Sequence, residues 1–124
     1  MKVLSEIETL VSGAGMPVAL DRAGEPRGVP FVVGRGAYRV VRDALSAARS
    51  ATEASVTVEF MPGALAVQVD DDGPARDGLD EAAELAAALG GGLRASSSAR
   101  GFRVRAWLPT EGQPPCLSAP LAAR

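Results

Sequence analysis

The stretch from Val56 to Val69 constrains the fold more tightly than any other part of this chain. Val56, Val58 and Phe60 alternate with polar neighbours, Pro62-Gly63 turns the chain, and Leu65, Val67 and Val69 alternate again. Period-two alternation on both sides of a turn dipeptide predicts a β-hairpin with one buried face. Such a face must be covered, so the rest of the chain has to supply further strands and a second layer.

The flanking segments supply both. Leu4, Ile7, Leu10 and Val11 fall on one face of a short helix that ends at Gly13 or Gly15. Val18 and Leu20 mark a short strand, and Arg22 to Pro30 reads as a loop rich in Gly and Pro. Ala37, Val41, Ala44 and Ala48 recur at helical steps beside Tyr38 and Leu45, which predicts a long core helix from Pro30 to about Glu53. Gly34 and Gly36 each weaken its first turns by about 1 kcal/mol relative to Ala, so an irregular start, or a start near Gly36, is expected.

After the hairpin, Asp70 to Asp77 forms a charged loop. Leu79, Ala82, Leu85, Ala86 and Leu89 then make a third helix with Asp77 as its expected N-cap, ended by Gly90-Gly91-Gly92. Strands follow around Leu93 to Ser96 and Phe102 to Leu108. In the last strand Phe102, Val104, Ala106 and Leu108 face one way, and Arg103, Arg105 and Trp107 the other. Packing beneath a loop or the C-terminal tail is the expected reason for Trp107, an interaction surface the alternative, and the Ala-rich stripe is expected to be core rather than a dimer seam. The predicted architecture is an α/β, or α+β, two-layer sandwich: a mixed sheet of about five strands with three helices on one face. Residues 1–109 form the expected domain, and Thr110 to Arg124, rich in Pro, Ala and Ser, an expected disordered tail.

Composition narrows the function. Thirteen basic against fifteen acidic residues give a net charge of −2, and no run of Lys and Arg is present to neutralise a series of phosphates, so nucleic acid is not an expected partner. No segment has the roughly 20 apolar residues of a membrane span and the N-terminus lacks a signal-type stretch, which predicts a soluble cytoplasmic protein. The single cysteine, Cys116, cannot pair within the chain. With no histidine at all, the chain has no Ser-His-Asp or Cys-His pair, no histidine metal ligand and no histidine to phosphorylate.

Four segments in a consistent order carry a resemblance. Tyr38-Arg39-Val40-Val41-Arg42-Asp43-Ala44-Leu45-Ser46 resembles the helix bearing the N box of bacterial sensor histidine kinases of the class related to nitrate and desaturase sensors. Asp71-Asp72-Gly73 is similar to the start of the first glycine box. Gly78-Leu79, with its helix and Leu89-Gly90-Gly91, resembles the end of the second. Gly101 to Pro109 resembles the closing strand. The resemblance runs from about Leu4 to Pro109 and implies the Bergerat sandwich of gyrase-type and Hsp90-type ATPases.

The resemblance also says what each position should do. Asp71 matches the carboxylate that accepts a hydrogen bond from the adenine amino group, and Gly73, Gly78 and Leu79 complete the candidate nucleotide site. Asp43 matches the acid near the phosphates, one methylene shorter than the usual Glu, although a plain helix-surface charge is the favoured reading of this residue and a functional base the alternative. The asparagine that would ligate Mg²⁺ is matched by Ala47, and a polar residue or histidine at the end of the helix by Ala51. The second glycine of the first box falls on Ala75, and the lid is reduced to Arg76 and Asp77. For Asp70, Asp71 and Asp72 three readings stand open: a solvated turn, an adenine contact through Asp71, or a metal site.

These departures predict a kinase-type ATPase domain without autonomous kinase activity, acting as a regulatory protein-binding module of two-component signalling. A sensor kinase, a response regulator or a second copy is the expected partner. No metal and no cofactor are expected. The alternative is a detached module that binds ATP or ADP weakly, with doubtful magnesium dependence, and acts in trans on a histidine-containing kinase.

Overall fold

The computed structural model describes residues 2–25, 28–48, 51–74, 79–98 and 101–110. The elements follow in the order α1 (Lys2–Ser12), β1 (Val18–Ala23), α2 (Phe31–Ala47), β2 (Ala54–Met61), β3 (Ala64–Asp71), α3 (Asp80–Ala88), β4 (Gly92–Ser98) and β5 (Gly101–Pro109). The strands form one sheet in the order β1-β2-β3-β5-β4, with β1 parallel to β2 and every other pair antiparallel. This is the mixed five-stranded sheet that the alternation predicts.

The register explains the core. Phe60 pairs with Leu65 and Leu65 with Leu108; Val58 pairs with Val67 and Val67 with Ala106; Val56 pairs with Val69 and Val69 with Val104. Each set is a transverse row of buried side chains on the face that the helices cover. Ile7 of α1, Val33, Ala37, Val40, Val41 and Ala44 of α2, and Ala82 and Ala86 of α3 complete that layer. The Ala-rich stripe of α2 is therefore core, because alanine at these steps lets the helix lie close to the sheet.

Three boundaries differ from the sequence reading. Helix α2 begins at Phe31 despite its glycines, since the Pro30 carbonyl accepts the N–H groups of both Val33 and Gly34 at 3.0 Å. Gly36 is buried inside it, where a Cβ would come within 2.6 Å of Leu89 Cδ1, so this glycine lets α2 and α3 approach. The helix also ends at Ala47 rather than near Glu53: the Ala48 N–H turns back to the Leu45 carbonyl, and the N–H groups of Thr52 and Glu53 bond elsewhere, as described below. In α3 the cap position is Leu79, without a side-chain cap, and Asp80 and Glu81 in the first turn complement the helix dipole. The expected cap, Asp77, lies outside the described residues, as do Gly78 and residues 111–124.

The second face of the sheet is open. It carries Ser55, Thr57 and Glu59 of β2, Ala66, Gln68 and Asp70 of β3, and Arg103, Arg105 and Trp107 of β5. Trp107 stays 47% exposed. The described chain closes at Thr110, whose N–H donates to the Gly63 carbonyl at 2.9 Å. Among the described residues no helix is long and apolar enough to cross a membrane.

Candidate functional site

Three consecutive aspartates leave the end of β3, and the pleat sends them to different places. Asp71 continues the buried alternation of Leu65, Val67 and Val69, so its carboxylate lies on the helix side of the sheet. At 7% exposure it is the one buried charged residue among the described residues. Its Oδ1 accepts the N–H of Gly73 at 2.8 Å, closing a turn in which the aspartate side chain stands in for a backbone carbonyl. Gly73 is buried in that turn.

Asp70 points to the open face. Its Oδ1 accepts from Arg103 Nε at 2.6 Å and its Oδ2 from Gln68 Nε2 at 2.8 Å.

Asp72 reaches back to the segment between α2 and β2. Its Oδ1 accepts the N–H groups of Thr52 at 2.7 Å and Glu53 at 3.3 Å, and its Oδ2 accepts the Thr52 hydroxyl. The Thr52 hydroxyl and then its N–H hold the Asp72 carboxyl below its ordinary pKa, because both bonds favour the charged form. With both N–H groups bonded to Asp72, Thr52 and Glu53 do not continue α2. The sequence reading of the acidic run as a solvated turn, an adenine contact or a metal site missed it; its one signal was the Thr-Glu pair ahead of β2.

Gly101 holds the same end together. Its φ is +146°, and a Cβ there would lie 2.0 Å from the Asp71 carbonyl oxygen and 2.7 Å from Asp72 Cα. Only glycine lets β5 start against the backbone that presents Asp71.

The remaining predicted positions lie on α2 and at the start of α3. Asp43 is flanked by two arginines: Arg39 Nε stands 3.4 Å from its Oδ2, and Arg42 Nη2 3.4 Å from its Oδ1. Arg39 Nη2 in turn lies 3.4 Å from Glu81 Oε1, so the set links α2 to α3. Arg39 Nε is close to Asp43 but lacks hydrogen-bond geometry and is buried, which makes this a charge contact rather than a directed bond. Ala47 is the last residue of α2 and Ala51 follows in the connection. Leu79 is buried, and its carbonyl accepts the N–H of Ala83 at 2.9 Å.

A cavity of about 340 Å³ occupies this end of the sheet. Ala19, Ser55, Asp70 and Arg103, which share one row of the open face, line it together with Ala54, Asp71 and Phe102 of the neighbouring buried row and with Glu53 and Asp72. It was not foreseen, because a transverse row of the sheet is assembled from four separate strands.

The resemblance implies a magnesium nucleotide at this end of the fold. Asp71 is buried and its Oδ1 holds the Gly73 N–H. Ala47 offers no side-chain oxygen, Asp43 lies against two arginines, and among the described residues no group of three His, Cys, Asp or Glu could hold a metal ion.

No protein-family model matches the chain, and no curated protein matches it in sequence. Solved structures do. The catalytic domain of the histidine kinase ThkA, nucleotide-free, superposes with a TM-score of 0.67 at 16% identity, over 88% of this chain and 89% of that one. The ATP-binding domain of PrrB from Mycobacterium tuberculosis gives 0.63 at 18% identity, over 87% and 93%. The blue-light activated histidine kinase EL346 of Erythrobacter litoralis gives 0.68 at 19%, over 90% of this chain but 41% of that longer protein. At these identities the likeness establishes architecture, and on that ground the chain has the fold of a histidine-kinase ATP-binding domain.

Proposed function

We propose that this chain is a histidine-kinase-type ATP-binding domain that has given up magnesium-dependent phosphotransfer and works by binding another protein of two-component signalling in the cytoplasm. The observation that carries this reading is the state of α2: the helix that should present a magnesium ligand and an acid to the phosphates ends in Ala47, and its one acid, Asp43, is held between Arg39 and Arg42. The sheet and helical layer are nonetheless complete, with an unbroken core. A fold kept without its chemistry is kept for its surface.

A second reading rests on Asp71. Its burial and its bond to Gly73 preserve the acceptor that would recognise an adenine amino group, which supports a module that binds ADP or ATP without magnesium and serves a kinase in trans. Calorimetric titration with ADP and ATP, with and without Mg²⁺, separates the two. No heat and no thermal shift at millimolar nucleotide supports the protein-binding reading. Binding at micromolar strength, about −8 kcal/mol, supports the trans-acting module. Binding that tightens strongly with Mg²⁺ overturns the account of α2.

A further inference from the structure

The open face of the sheet sorts its charges. Asp21 of β1 and Glu59 of β2 stand towards one edge; Arg103 and Arg105 of β5 and Arg94 of β4 stand towards the other, with β3 between them. Most of these charges are satisfied within the face. Arg105 donates to Glu59 at 3.1 Å and to Gln68 at 3.3 Å, and Arg103 to Asp70 at 2.6 Å.

Two charges are left over. Asp21 and Arg94 are exposed, and neither has a hydrogen bond or ion pair among the described residues. They close the two ends of a single transverse row, Asp21, Thr57, Gln68, Arg105 and Arg94. Four strand spacings, about 19 Å, keep them apart within one molecule. Arg94 also sits directly opposite Arg105, an unfavourable pairing of like charges that nothing on β4 relieves.

We propose that this face packs against the same face of a second copy, across a two-fold axis running along β3. That operator reverses the strand order, laying β1 over β4 of the copy and β2 over β5. Asp21 then meets Arg94 of the second copy, and the contact occurs twice, as an isologous interface requires. An axis lying across the strands would instead stack arginine on arginine.

The strand on the axis tolerates meeting itself. Ala66 is fully buried beneath its neighbours, the Gln68 amide is held by Asp70 and Arg105, and Asp70 is already neutralised by Arg103, so no unpaired charge meets its own copy. Aligned sheets pack about 10 Å apart, a gap that arginine and tryptophan side chains span. Trp107 lies in the row next to Arg94, opposite Gly92, which has no side chain to cover it. Its half-exposed ring supplies apolar area to the interface. The inference names a partner for the protein-binding reading, yet it uses the face opposite Asp71, so molecular mass and nucleotide titration test the two separately.

The test is sedimentation equilibrium of the full chain from low to several hundred micromolar, with emission from Trp107, the single tryptophan, followed over the same range. A dimer is expected, its emission shifting to the blue as it forms. Asp21→Arg or Arg94→Asp alone should raise the dissociation constant about tenfold or more, as two attractions become repulsions. The double variant Asp21→Arg/Arg94→Asp rebuilds the pair with its signs exchanged and should restore association. Both positions are exposed, so the variants leave the core intact. A chain that stays monomeric overturns the proposal and leaves the face to a partner of different sequence. A dimer indifferent to the single reversals, a double variant no better than either single, or a dimer lost on truncation after Thr110 each overturns it as well.

Discussion

Asp72 and Thr52, twenty residues apart in sequence, are joined twice: the backbone N–H of Thr52 donates to Asp72 Oδ1 at 2.7 Å, and its hydroxyl donates to Oδ2. The link pins the exit of α2 to the end of β3. Asp72→Ala should therefore lower the melting temperature at neutral pH. Because these bonds depress the folded pKa of Asp72, their contribution is complete above the ordinary aspartate range and fades as pH falls through the lower folded value. Denaturant titrations of the wild type and Asp72→Ala should differ at pH 7 and converge in acid. A gap of equal size at both pH values would mean that the carboxylate charge is not what holds the loop.

Much of this architecture was legible in the sequence because it rests on local period. Val56 to Val69 declared a hairpin, and Phe102 to Leu108 declared a strand with one apolar face; both occupy the expected faces. The end of α2 was not legible. The apolar steps of Ala37, Val41, Ala44 and Ala48 run one residue past the end of the helix at Ala47, and nothing local announces that Asp72, twenty residues on, takes the backbone N–H groups of Thr52 and Glu53. The same limit applied to the acidic run. A row of aspartates looks like one solvated cluster until the pleat separates Asp70 from Asp71 and the loop turns Asp72 towards Thr52. Asp43 could be matched to a family acid by position, but its contacts with Arg39 and Arg42 take shape only once the helix is built.

Gly101→Ala should be among the most damaging single substitutions in the chain. The new Cβ would occupy a left-handed backbone conformation and fall 2.0 Å from the Asp71 carbonyl oxygen, an atom of the backbone that cannot swing aside. Backbone strain and overpacking together cost roughly 2–6 kcal/mol, a large part of the stability of a small domain. Chemical denaturation of the purified variant measures the loss. A change below about 0.5 kcal/mol, the size of an ordinary surface substitution, would show that β5 can start elsewhere.

Asp71→Asn and Asp71→Ala should part company. Asparagine keeps an oxygen able to accept the Gly73 N–H, so the turn at the end of β3 survives; alanine leaves that buried N–H without its acceptor, at a cost of about 1–3 kcal/mol. If the domain binds ADP, both variants should lose binding. The charge-assisted acceptor is absent from each, and about 1.5–3 kcal/mol corresponds to roughly 10- to 150-fold in the dissociation constant. Melting curves and ADP titrations on the pair thus separate a structural role from a recognition role. Nucleotide binding that persists unchanged in Asp71→Asn would place the adenine somewhere other than Asp71.

Ala47→Asn restores the side chain that a magnesium site would need at the end of α2, and it should still yield no ATPase activity. One carboxamide oxygen is a single ligand for a cation that takes near-octahedral coordination, and the nearest acid on the helix, Asp43, stays committed to Arg39 and Arg42 at 3.4 Å. Removing one of its two partners with Arg42→Ala in the Ala47→Asn background loosens that carboxylate, still beside Arg39, but adds no residue to enclose the phosphates, so turnover is expected to stay at the level of the uncatalysed reaction. Steady-state phosphate release with magnesium ATP is the measurement. Turnover in Ala47→Asn alone would locate the whole defect at one side chain. Turnover appearing only in the double variant would assign it to the arginine pairing of Asp43, and either result would return this fold to the phosphotransfer chemistry that its α2 sequence argues against.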